Sequence, residues 1–143
     1  MKDTQIQVAP ITCKLSDLSV FTDPDAEYPE TIFRQEQSFQ VRITVEFGGS
    51  GAIALVPLCL PVKVNFFAEP YGLGSKVELG STFVKTSARV LTYTPTLVVA
   101  TPATVGLVCE EIYQLTAVLR VGAPDWPALI TGVIEGLAIQ IYQ

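Results

Sequence analysis

The chain contains no histidine, and only one tryptophan, one methionine and three cysteines among its 143 residues. Without histidine, Ser-His-Asp and Cys-His nucleophile arrangements, histidine acid/base chemistry and His-ligated zinc are excluded as usually built. The cysteines, Cys13, Cys59 and Cys109, are odd in number and widely spaced, so they match neither a disulfide framework nor a metal-ligand pair. They read as small buried hydrophobes. Gly48-Gly49-Ser50-Gly51 is glycine-rich but lacks the spacing and the lysine of a phosphate loop. No internal repeat is present, and no window shows apolar spacing of three and four over a helix's length. No metal-ligand or cofactor motif stands out, and an enzyme is not expected.

Charge is also scarce. Charged residues make up 16% of the chain, against ~25% in an ordinary soluble domain. The formal net charge is −5, and nucleic-acid binding draws on clustered Lys and Arg, so nucleic acid is not an expected partner. An anionic membrane surface is disfavoured on the same ground. The two longest apolar runs, residues 52–62 and 94–109, fall short of the ~20 residues that span a bilayer, and both contain prolines. The polar start, Met1-Lys2-Asp3-Thr4-Gln5, lacks a signal-peptide core. The expected setting is cytoplasmic and soluble.

What the sequence does contain is alternation. Residues 113–121 place Tyr113, Leu115, Ala117, Leu119 and Val121 on one side, with Gln114, Thr116 and Arg120 on the other. Residues 39–47 alternate without exception, and residues 62–69 set Val62, Val64, Phe66 and Ala68 opposite Lys63, Asn65 and Glu69. A period of two packs one pleated face on a core and leaves the other to water. Further strands are expected near 12–21, 76–79, 82–85, 89–94 and 137–142, while Pro95 and Pro102 bracket the apolar residues 97–100. About seven to eight strands with turn signals between them predict an all-β, antiparallel two-sheet sandwich. The length suits a single domain, 1–143. Residues 1–37 form a more polar N-terminal region whose segment 22–37 reads as a long loop.

The segment Gly106-Leu107-Val108-Cys109-Glu110-Glu111-Ile112-Tyr113 resembles the tyrosine corner of immunoglobulin-like sandwiches, followed by its strand. The resemblance makes residues 39–47 similar to the second strand of such a domain, 62–69 to the third and 113–121 to the penultimate one. Leu115 stands where antibody domains carry a cysteine, and no tryptophan lies in the third strand. The likeness is therefore to disulfide-free, fibronectin type III-like relatives. Such sandwiches host many unrelated functions.

Three candidate sites follow. Trp126, between Asp125 and Pro127, is either an exposed binding anchor or a lid on the open end of the sandwich. The uncharged segments 52–62 and 94–109, with Leu97 and Val99 as representative residues, either fill the core or form an apolar interface. The expected function is a non-catalytic binding or assembly module that associates with itself or with a protein partner through such surfaces. The alternative is a calcium- or carbohydrate-binding sandwich using the acidic loop 23–30, with Asp23, Asp25 and Glu27 as oxygen ligands. Glu110 and Glu111 are adjacent in a strand-like stretch, so their side chains point apart and do not make an acid/base pair.

Overall fold

A computed structural model describes residues 3–22, 28–123 and 125–143. Two sheets enclose one apolar core. The first contains β1 (Thr4–Val8), β2 (Ile11–Phe21), β4 (Phe39–Gly48), β7 (Thr92–Tyr93) and β8 (Thr96–Val99), in the order β1-β2-β4, with β7 and β8 both paired to β4. The second runs β3-β10-β9-β5-β6, with β3 (Ile32–Arg34), β10 (Ile130–Tyr142), β9 (Ile112–Val121), β5 (Pro61–Pro70) and β6 (Val77–Lys85). β1 and β2 lie against β10 on one flank, and β6 lies against β8 on the other.

The alternating residues turn inward as their period requires. Phe39, Val41, Ile43, Val45 and Phe47 of β4 are buried, as are Val62, Val64, Phe66 and Ala68 of β5. Tyr113, Leu115, Ala117, Leu119 and Val121 of β9 complete the facing layer. Each fully buried Leu, Ile, Val or Phe contributes about 1.5–3 kcal/mol of apolar transfer, so this core dominates the stability of the fold.

The described residues form ten strands rather than about seven to eight. β1, β3 and β8 are five, three and four residues long, too short to show a sustained periodic signal, and the strand expected at 89–94 is present only as the two-residue β7. β3 divides the expected loop 22–37 because Phe33 is buried there, with its ring 4.8 Å from that of Phe39. It joins β10 in parallel, the one departure from antiparallel pairing among the described residues. Residues 76–79 and 82–85, expected as separate strands, are one strand with a bulge at Gly80. Gly80 has φ +138, and a Cβ there would sit 3.3 Å from the Leu97 side chain, so glycine lets β8 approach β6. The apolar run 52–62 contains a short helix, α1 (Ala52–Leu55), and a 3-10 turn before β5 begins. Ala52, Leu55 and Val56 face the core.

β7 and β8 are in effect one edge strand interrupted at Thr94-Pro95. Pro95 has no N–H to give, yet its carbonyl still accepts from Ile43 N–H at 3.3 Å, so an edge position suits it. The Tyr93 hydroxyl accepts from Ser87 N–H at 2.8 Å and donates to the Val90 carbonyl at 2.6 Å, which ties the preceding loop to this edge.

Candidate functional site

The loop between β9 and β10 is held by a single side chain. Arg120 points outward from β9, and its guanidinium donates to the carbonyls of Gly122 (Nη1, 3.2 Å) and Ala123 (Nη2, 3.1 Å) and also to that of Trp126. Trp126 N–H donates to the Ala123 carbonyl at 3.2 Å, and Leu129 N–H closes the loop onto Val121 at 2.8 Å. Gly122 has φ +136, with the Leu129 nitrogen 3.3 Å from where a Cβ would stand. A side chain there would strain the turn and crowd the returning backbone. The outcome is a fixed loop backbone with the Trp126 indole 72% exposed. Trp126 therefore does not cover the end of the sandwich.

At the other end of β9, Val108 N–H donates to the Tyr113 hydroxyl at 2.8 Å. The bond runs to backbone five residues upstream, and Tyr113 is 3% exposed. Glu110 occupies a left-handed conformation, φ +71, and its N–H donates to the Ile141 carbonyl at 2.7 Å.

The uncharged segments divide between core and surface. Val99, a candidate for either the core or an apolar interface, is a core residue at 3% exposure, so it is not available at an interface. Leu97 is half-buried with its side chain over Gly80. Val98 between them is the residue that faces outward. This follows from the strand period: β8 turns Leu97 and Val99 toward the neighbouring sheet and the core, and of its even positions Val98 faces solvent while Thr96 is half-buried. On the second sheet a different row exposes apolar side chains on either side of the half-buried Gln140. Ile112, Gln140 and Ile32 are directly paired across β9, β10 and β3, and Tyr71, whose N–H donates to the Ile112 carbonyl at 3.0 Å, continues the row. Ile112, Ile32 and Tyr71 are all exposed.

Asp23, Asp25 and Glu27 lie outside the described residues. Among the described residues no three His, Cys, Asp or Glu side chains come together as a metal site. All three cysteines are free, but only Cys13 is a buried hydrophobe; Cys59 is exposed and Cys109 half-buried. Cys59 differs from expectation because it closes the 3-10 turn in a left-handed conformation, φ +54, on the outside of the sheet. Burial pushes the Cys13 thiol up to about 12, so it is neutral at physiological pH and no nucleophile.

Among the described residues, two clefts bear on the site. One, of about 620 Å³, lies beside the bulge of β2 and is lined by Asp17, Ser19, Phe21, Arg42, Thr44 and Leu137 among others. There the Arg42 guanidinium lies 3.7 Å over the Phe21 ring. The other, of about 760 Å³, lies on the outer face of β5, β6 and β9 beside the Arg120 loop, and its lining includes Lys63, Phe83, Lys85 and Arg120. Sequence reasoning missed Arg120 as a clamp and missed this basic cluster. The outward position of Arg120 was legible, but its neighbours depend on a register that alternation alone does not supply.

No known family model matches the chain, and a comparison with the curated proteins finds no match either. Among the described residues no helix is long and apolar enough to cross a membrane.

Proposed function

We propose that the protein is a non-catalytic binding or assembly module that uses Trp126 as its anchor. The observation that carries this reading is the exposed indole on a loop whose backbone Arg120 holds at three carbonyls. A loop tied at these carbonyls loses little backbone freedom on contact, and tryptophan is enriched among interface hot spots. The exposed row Tyr71, Ile112 and Ile32 supports self-association through uncharged strand surfaces. We read a cytoplasmic setting, where reducing conditions keep thiols such as these three free.

The sandwich is immunoglobulin-like in this reading. The order β2-β4-β8 in one sheet and β10-β9-β5-β6 in the other supports it, with β4, β5 and β9 in the second, third and penultimate positions. The Tyr113 bond to Val108 is the second support.

The test is the molar mass in solution by light scattering over a tenfold concentration range, for the native chain and for Trp126→Ala. An oligomer that the substitution dissociates, with melting temperature unchanged, is the expected result. A chain that is monomeric throughout would end the self-association reading. A large loss of melting temperature in Trp126→Ala would make the indole structural instead.

A further inference from the structure

The chain is acidic, with nine Lys and Arg residues against fourteen Asp and Glu, yet three of the nine line one cleft. Lys63 of β5 is directly opposite Arg120 of β9 on one side and Phe83 of β6 on the other. Lys85 lies two residues along β6 from Phe83, on the same face. Cys59, Pro61, Ser81, Gly122 and Ala123 complete the lining and bring no carboxylate. The one ion pair among the described residues, Lys14 with Asp3, is on the other sheet. Like charges directly opposite in a sheet are destabilising, and here Lys63 and Arg120 oppose each other with no ion-pair partner among the described residues, Arg120 being met only by backbone carbonyls. Proteins break such local rules at functional sites. The acidic side chains on this same sheet fall in other cross-strand rows, Glu78 and Glu135 in that of Phe67 and Thr116 and Glu69 in that of Gln114, so none is directly opposite Lys63 or Arg120.

We propose that this cleft binds a small, multiply charged phosphate ester, independently of any self-association. Its volume, about 760 Å³, lies within the range of small-molecule sites. Lys63 and Lys85 are exposed, and their ammonium groups are compact charges suited to phosphate oxygens. Arg120 adds positive charge, while its donors to Gly122, Ala123 and Trp126 hold the cleft wall. Three cations match a diphosphate better than a single carboxylate. Phe83, 62% exposed between the two lysines, gives the apolar or aromatic part of the ester a surface to lie on.

The experiment titrates the isotope-labelled full chain with inorganic pyrophosphate, with adenosine diphosphate and with a polyglutamate peptide, following backbone amide resonances. Pyrophosphate is expected to shift residues 59–63, 81–85 and 120–123 saturably. Its affinity should fall about tenfold in the double variant Lys63→Gln/Lys85→Gln, and also between ~20 and ~200 mM salt. Adenosine diphosphate should bind more tightly than pyrophosphate, and Phe83→Ala should close that gap. The double variant should melt no lower than the native chain, since it removes an opposed like charge. No saturable shift, shifts outside these segments, or an affinity unchanged in the double variant would overturn the proposal. So would a double variant that melts lower, because the lysines would then serve the fold. Adenosine diphosphate no tighter than pyrophosphate would remove the ester, and binding of polyglutamate alone would replace it with an acidic protein segment.

Discussion

The two ends of β9 each carry a side chain that hydrogen-bonds to nearby backbone, with opposite consequences. At the start, Tyr113 is buried, and its hydroxyl takes the Val108 N–H of a loop folded onto the sandwich. At the end, Arg120 points outward and gathers carbonyls of a loop that projects its tryptophan into solvent. The difference lies in which face of the strand each residue occupies. An inward hydroxyl locks a crossing to the core, where an unmade bond is costly. An outward guanidinium shapes a loop without burying it, and leaves the indole in solvent.

That contrast can be broken in a graded way. The largest effect is expected in the middle of the strand, where Leu115→Ala should cost about 2–5 kcal/mol by opening a cavity, read from urea unfolding. Arg120→Met should cost about 1–2 kcal/mol by releasing charge-assisted bonds on half-exposed carbonyls. It should also weaken any Trp126-dependent association although the indole is retained; association at full strength would show that the clamp does not present the tryptophan. Tyr113→Phe removes one hydroxyl and should cost about 1 kcal/mol, with no effect on association. An unchanged unfolding midpoint there would remove the corner as a stabilising feature. Trp126→Ala should change stability by no more than ~0.5 kcal/mol while acting on association alone.

Cys13 offers an independent check on the core through pH. Its thiol is pushed up to about 12 by burial, whereas the unfolded chain ionises near ~8.5. Its contribution is complete below the unfolded value and is lost as pH rises toward the folded one, because only the unfolded chain releases the proton. Alkaline unfolding should therefore be steeper for the native chain than for Cys13→Ala. Equal slopes would show that Cys13 is less enclosed.

The long alternating stretches were legible because a period of two commits every second residue to the core. The odd positions of 39–47 and 113–121 are all buried. The hydroxyl bond of Tyr113 was legible as well, since it spans five residues and depends on local chain direction. β3 was not, because three residues carry no period and its place depends on Phe33 meeting Phe39. β8 shows the limit of composition: residues 94–109 are uncharged throughout, yet Val99 is core and Val98 is surface.

The sequence by itself determined an all-β chain and the inward face of its long strands, since side-chain alternation is a local property of extended backbone. Tertiary structure alone decided which strands are neighbours, and therefore that Lys63 stands between Arg120 and Phe83. It also decided that Arg120 reaches three carbonyls around Trp126. The physical reason is that strand order and register are set by the packing of the whole core, so the outer face inherits its charge pattern from contacts made on the inner one.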